Sequence, residues 1–100
     1  MVVLLLALLV AAPPSREDAR KALRRAGCQT CHDSEVSVQH TDALEQFDLH
    51  DPNWSDGMSA HQLPKLLTRL KSSPADSKVV QAFIEAELAA RLAKGKPDAP

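Results

Sequence analysis

Apolar residues recur at three- and four-residue intervals in three stretches of the chain, which is the spacing of one face of an α-helix. These positions are, in chain order, Ala19, Ala22, Leu23 and Ala26; Leu63, Leu66, Leu67 and Leu70; and Val80, Phe83, Ile84, Leu88 and Leu92. No stretch alternates apolar and polar residues over a useful length, as a half-buried β-strand would. The pattern predicts an all-α fold.

Local signals define both ends of the first helix. Ser15 and Asp18 have the spacing of a capping box, in which each side chain bonds the backbone N–H of the other residue. Gly27 is a natural helix terminator, so the first helix delivers the chain directly into Cys28. Further along the chain, residues 42–47 form a short and weaker helix candidate.

The later helices carry start and stop signals of their own. Ser59 and Gln62 suggest a second capping box. Pro64 lacks an N–H and is tolerated only in a first turn, so this helix is predicted to begin a residue or two after Ser59. The last helix is predicted to start at Ser73-Pro74, with proline at its first position, and to end near Lys94.

Residues 1–14 differ from the rest of the chain. Val2 to Ala12 is an unbroken apolar run, shorter than the about 20 residues that cross a bilayer, and it ends at Pro13-Pro14. This pattern indicates a secretory signal peptide, with a short N-terminal anchor that associates with the membrane as the alternative. It predicts an exported protein, in the periplasm or tethered at the outer face of the cytoplasmic membrane. One domain is then predicted over 15–95, with a disordered tail at 96–100.

The charges nearly balance, at a net −1, but they are unevenly distributed. Five basic residues lie between Arg16 and Arg25, whereas Asp33 to Asp56 contains seven acidic residues and no Lys or Arg. The basic residues form either the hydrated face of a helix or a docking surface for an acidic partner. No basic stripe with interleaved aromatics occurs, so nucleic-acid binding is not expected. With one Trp and two Phe, so small a domain often needs a disulfide, a metal or a cofactor to complete its core.

The strongest chemical signal is CQTCH, residues 28–32, which contains both cysteines of the chain. C-x-x-C-H is the attachment signature of c-type haem. Two thiols about one helical turn apart can add to the two vinyl groups of a porphyrin, and the next histidine can bind the iron. The motif predicts one covalent haem c on Cys28 and Cys31, with His32 as the proximal iron ligand. The alternative is a haem-free interaction module, built on a disulfide or on a zinc site that His40 completes.

Through this motif the chain resembles the c-type cytochromes, and more loosely the small single-haem class I cytochromes c. The resemblance covers a helix that leads into CQTCH, a loop-rich middle, and a last helix with Phe83 on its apolar face. It implies that the first and last helices pack against each other beside the haem, with Phe83 as a cofactor-binding residue. Trp54, which is close to Met58 in the chain, is the second residue expected to pack on the porphyrin. The resemblance also implies an electron carrier rather than an enzyme, with a redox protein as donor and another as acceptor.

The same family usually supplies a methionine as the second axial ligand, and this ligand pair raises the reduction potential. Met58, the methionine outside the N-terminal segment, lies in a loop that contains Pro and Gly and is the predicted distal ligand. A second interpretation makes Met58 and Leu63 a hydrophobic staple at the start of a helix. The alternative ligands are His61, His50 and His40, with His61 first among them. An iron without a distal ligand would instead bind or reduce a small molecule.

Overall fold

The computed structural model describes residues 12–95 and contains four α-helices and one 3-10 helix. They are α1 (Arg16–Arg25), α2 (Gln29–His32), α3 (Thr41–Gln46), the 3-10 helix (Leu63–Arg69) and α4 (Pro74–Ala93). No β-strand occurs within the described residues, which confirms the prediction of a helical fold. In the same part of the chain, no helix is both long enough and apolar enough to span a membrane. The apolar run up to residue 11 and the predicted tail lie outside the described residues.

Helix α1 begins and ends as the local signals predict. Ser15 Oγ accepts the Asp18 N–H at 3.1 Å, and the Asp18 carboxylate accepts the Ser15 N–H at 2.9 Å, which completes the capping box. After the helix, Gly27 adopts a φ of 93°, a left-handed conformation that glycine reaches at little cost. The Cys28 N–H then bonds the carbonyl of Leu23 at 3.0 Å, as in a Schellman motif. The start of CQTCH is therefore tied to the last turn of α1.

The hydrophobic core lies where α1 and α4 pack against each other, with the 3-10 helix also packed on α4. Its buried helical residues are Ala19, Ala22, Leu23, Leu63, Leu66, Val80, Phe83 and Ile84. The expected pairing of the first and last helices is thus observed. Leu92, the last position of the apolar pattern, is not part of this core, because it is 79% exposed. Helix α4 has 20 residues and α1 only 10, so the final turns of α4 extend past their neighbour.

The middle apolar stripe forms a 3-10 helix rather than an α-helix. The second capping pair is present, because Ser59 N–H donates to Gln62 Oε1 at 2.8 Å and Gln62 N–H donates to Ser59 Oγ at 3.1 Å. Regular helix then begins at Leu63, with Pro64 in the first turn, where its missing N–H costs nothing. The capping pair agrees with the sequence prediction, but the helix begins four residues after Ser59 rather than one or two, because residues 60–62 form a turn that precedes it.

The segment between α3 and the 3-10 helix is held against α1 by Arg16. The Arg16 guanidinium donates to Asn53 Oδ1 at 2.8 Å and forms an ion pair with Asp56. In return, Trp54 Nε1 donates to the Arg16 carbonyl at 3.4 Å. These contacts fix a loop that has little regular structure of its own.

Candidate functional site

The five residues of CQTCH form one compact unit. Helix α2 contains Gln29–His32, and Cys28 is its N-cap residue. The His32 N–H bonds the Cys28 carbonyl at 3.0 Å, which closes one helical turn around the motif. Cys28 and Cys31 are free, partly buried thiols. The turn therefore presents two thiols and one imidazole from a single short segment.

Two neighbouring cavities lie beside this helix. A cavity of about 420 Å³ is lined by Cys28, Cys31 and His32, together with residues of α3 and of the end of α1. A second cavity of about 560 Å³ is lined by Cys28 and His32 and by residues of the 3-10 helix. The two share Cys28, His32, Gln46 and Arg69. Their sizes fall in the range of about 300–1,000 Å³ that is usual for ligand and cofactor sites.

The imidazole of His32 is fixed in one orientation. Its Nδ1 lies 2.9 Å from the Ala43 carbonyl oxygen and 3.3 Å from the Phe47 carbonyl oxygen. Because carbonyl oxygens can only accept, Nδ1 carries the proton and Nε2 keeps its lone pair. The Phe47 ring stacks parallel to the imidazole, with ring centroids 3.9 Å apart and planes within 5°. Histidines that bind metals are commonly held in this way, with the second ring nitrogen donating to a carbonyl.

The thiol of Cys28 is less acidic than an ordinary cysteine. Burial raises its pKa, and this effect exceeds the lowering by the nearby positive charge of Arg69. A raised pKa lowers the fraction of thiolate, the form in which a cysteine attacks a disulfide.

Met58 lines one of the two cavities beside α2. Its side chain is 6% exposed and lines the 560 Å³ cavity together with Cys28 and His32. Met58 and Leu63 also belong to one buried apolar cluster, as a hydrophobic staple requires. Met58 therefore shares a cavity with His32 and a buried apolar cluster with Leu63.

The three alternative histidine ligands lie elsewhere. His61 is exposed, and His40 is exposed at the N-cap position of α3. His50 is also exposed, and its Nδ1 lies 3.1 Å from a carboxylate oxygen of Glu35. None of the three lines either cavity beside α2. Among the candidate distal ligands, Met58 alone shares a cavity with His32.

The two aromatic residues that were expected at the cofactor lie deeper in the molecule. Trp54 and Phe83 are buried core residues, with ring centroids 5.7 Å apart, and neither lines the two cavities. Phe47 links Trp54 to His32, because its ring centroid lies 5.8 Å from that of Trp54 and 3.9 Å from that of His32. Phe47 is the aromatic residue at the candidate site. Sequence reasoning placed it only at the end of a weak helix, since nothing local indicates a contact with His32.

Within residues 12–95, one set of three metal-ligating side chains brings its ligand atoms within 4.8 Å of one another: Asp33, Glu35 and His50. This set does not include CQTCH. Asp33 is buried and accepts two hydrogen bonds from Arg24, while Glu35 and His50 are exposed. The geometry therefore gives no support to a zinc site built on the two cysteines.

Four of the five basic residues of α1 form ion pairs within the molecule. The pairs are Arg16 with Asp56, Arg20 with Glu17, Arg24 with Asp33, and Arg25 with Asp76. The cations that line the cavity beside α2 are instead Lys65 and Arg69, which come from the 3-10 helix and are exposed. The positive charge at the candidate site thus comes from the 3-10 helix and not from α1.

Asp48 joins the segment after CQTCH to the next loop. Its Oδ1 accepts the Ser34 N–H at 2.9 Å and the His50 N–H at 3.0 Å. Burial raises the pKa of Asp48, but these hydrogen bonds outweigh it, and the pKa lies below the ordinary 3.8. The stability that the charge contributes is therefore present above the unfolded pKa and is lost as pH falls through the folded value.

Asp48→Asn is expected to lower the free energy of unfolding at neutral pH by about 0.5–1 kcal/mol, a small effect because the site is partly hydrated. Urea unfolding of both proteins measures the difference. The difference in unfolding free energy should shrink as the pH falls below 3.8, because the Asp48 carboxylate of the parent protein then becomes protonated. A difference that does not change with pH would contradict a role of the Asp48 charge.

Comparison with known proteins found no match to this chain among protein-family models, curated proteins or solved structures. The features of the molecule that bear on its function are therefore CQTCH, the two cavities beside it and the orientation of His32.

Proposed function

We propose that the chain is a single-haem c-type cytochrome that carries one electron between redox proteins. Haem c is attached through Cys28 and Cys31, His32 is the proximal ligand and Met58 is the distal ligand. The observation that carries the proposal is the hydrogen bond from His32 Nδ1 to the Ala43 carbonyl at 2.9 Å. It leaves Nε2 as the nitrogen with a lone pair, in a residue that lines a cavity with both thiols.

The side chains around the two cavities fit this cofactor. Imidazole and thioether are the usual axial ligands of an electron-transferring haem iron. Lys65 and Arg69 lie where they can pair with the carboxylates of a porphyrin. Phe47 and Leu66 add apolar lining and are buried. When bound, the haem supplies an iron that gains and loses one electron reversibly.

The residues of the chain would set the properties of that iron. The Ala43 carbonyl increases the basicity of His32 and holds its ring in place. The thioether of Met58 favours the reduced iron and raises the potential. With both His32 and Met58 bound to it, the iron would have no free position for a substrate. This arrangement favours an electron carrier over an enzyme.

The proposed partners are a redox-protein donor and a redox-protein acceptor. Lys65 and Arg69 are exposed at the cavity, so an acidic surface on a partner would be attracted to this side of the molecule. The proposed location is the periplasm or the outer face of the cytoplasmic membrane, to which the apolar segment at 2–12 would direct the chain.

Mass spectrometry of the chain, exported in a cell with a haem-attachment system, tests the proposal. The expected mass is that of the polypeptide plus one haem, and the colour should remain on the protein after extraction with acid and acetone. The variant with Cys28→Ala and Cys31→Ala is the matched control, because it keeps His32 and Met58 but has no thiol to form a thioether. A bare polypeptide mass for the parent chain would contradict the proposal and favour the haem-free module.

A further inference from the structure

Arg91 reaches from α4 to the turn that ends at Met58. Its Nη1 donates to the Met58 carbonyl at 2.6 Å, and its Nη2 donates to the Ser55 carbonyl at 3.1 Å. The turn between these two carbonyls is closed by the Met58 N–H, which bonds the Ser55 carbonyl at 3.1 Å. One guanidinium therefore holds the backbone at both ends of the turn that carries Met58.

The guanidinium of Arg91 is itself held in place. Its Nε donates to Glu87 Oε2 at 2.9 Å, and Glu87 lies one helical turn earlier on α4. The Arg91 side chain is 16% exposed, so its hydrogen bonds are shielded from water. Charge-assisted hydrogen bonds in such surroundings are stronger than neutral ones. The planar guanidinium also fits two acceptors at once, which an ammonium group cannot do.

A second arginine contacts the same loop in a different way. Arg16 of α1 binds the side chains of Asn53 and Asp56 at a more exposed position. Among the described residues, the hydrogen bonds of its guanidinium go to these side chains and not to the Met58 backbone. Loss of Arg16 would loosen the outer part of the loop, whereas loss of Arg91 would release the Met58 backbone itself. The two arginines therefore form a matched pair for a test.

We propose that Arg91 is a positioning residue that keeps the Met58 thioether on the iron, and so controls access of small molecules to the distal side. The inference rests on the proposed function, because it requires an iron between His32 and Met58. The position of the Met58 side chain depends on that of its backbone. Without the guanidinium, the turn would lose two hydrogen bonds to its carbonyl oxygens. The thioether would then leave the iron more often.

The test uses the covalent haem protein with Arg91→Ala, Arg91→Lys, Glu87→Gln or Arg16→Ala. The rate of carbon monoxide binding to the reduced protein and the hydrogen exchange of the Met58 amide are measured. Arg91→Ala should accelerate both by at least about tenfold, because two charge-assisted hydrogen bonds are lost. In Arg91→Lys both rates should lie between those of the parent protein and those of Arg91→Ala, since lysine lacks the planar guanidinium that binds two acceptors at once. Glu87→Gln should have a smaller effect, and Arg16→Ala should leave carbon monoxide binding nearly unchanged.

A destabilised control separates positioning from general stability. Val80→Ala removes part of a fully buried side chain between α1 and α4 and should weaken the fold without touching the Met58 turn. The inference is overturned if Val80→Ala accelerates carbon monoxide binding as much as Arg91→Ala does. It is also overturned if neither variant accelerates it. If the parent chain has no covalent haem, or its spectrum does not depend on Met58, the proposed function itself has failed at this site. If the spectrum depends on Met58 but Arg91→Ala binds carbon monoxide at the rate of the parent protein, only the inference about Arg91 has failed.

Discussion

Met58→Ala is expected to open the iron of the holoprotein to external ligands. Carbon monoxide binding by the reduced form should accelerate at least about a hundredfold, which corresponds to about 2.7 kcal/mol. The weak red absorption band of Met–iron ligation in the oxidised protein should disappear. The midpoint potential should fall, because a thioether ligand favours the reduced iron. Stopped-flow absorbance and a redox titration measure these effects.

The structural reason is that Met58 shares a buried cavity with His32, while the other candidate ligands are exposed. Removal of the thioether therefore leaves none of the candidate distal ligands among the residues that line this cavity. Leu66→Ala is the matched control, because Leu66 lines the same cavity and is equally buried but cannot bind iron. It should enlarge the cavity and keep the red band.

Two outcomes would contradict this assignment. If Met58→Ala retains the spectrum of the parent protein, the distal ligand is a histidine, and His61→Ala becomes the next variant to test. If the parent protein already binds carbon monoxide as fast as Met58→Ala, the iron has no distal ligand. The chain would then belong with haem proteins that bind or reduce small molecules.

Arg24→Ala is expected to lower the free energy of unfolding by about 3 kcal/mol. Asp33, which directly follows the motif, is 2% exposed. Its Oδ2 accepts hydrogen bonds from Arg24 Nη2 at 2.9 Å and from Arg24 Nε at 3.2 Å. Arg24 also donates to the Leu49 carbonyl, at 3.3 Å. The variant therefore leaves a carboxylate buried without its cation, which costs more than the loss of an exposed ion pair.

Urea unfolding followed by circular dichroism measures this effect. Lys21→Ala is the matched control, because Lys21 is an exposed cation on the same helix, and the change should stay within about 0.5 kcal/mol. The double variant with Arg24→Leu and Asp33→Leu should recover part of the lost stability, since no charge is then buried alone. A parent-like stability for Arg24→Ala would show that water or another group compensates the Asp33 charge.

The ends of α1 and the start of α4 were predictable because they depend on short-range interactions, whereas the 3-10 helix begins later than predicted. A capping box joins residues three positions apart, so Ser15 with Asp18 and Ser59 with Gln62 could be recognised in the sequence. The left-handed turn at Gly27 is likewise a local requirement. The 3-10 geometry of residues 63–69 was not predictable, because the same leucine spacing also suits one face of an α-helix.

The aromatic residues show where the sequence was insufficient. Trp54, predicted at the cofactor because it is close to Met58 in the chain, is buried in the core beside Phe83. Phe47 lies 15 residues from His32 and stacks on its ring. Neighbours in the sequence do not have to be neighbours in space once a loop of irregular conformation separates them.

By itself, the sequence determined the helical class and the ends of α1 and α4, and it predicted the chemistry of CQTCH, because each of these depends on residues within about one or two helical turns. The tertiary structure decided which carbonyl fixes His32, which candidate ligand shares its cavity, and that Arg91 holds the Met58 turn from 33 residues away. These contacts form only when α1, α4 and the loop between them pack together. The sequence pattern specifies which faces are apolar, but it contains no distances between the side chains that packing brings together.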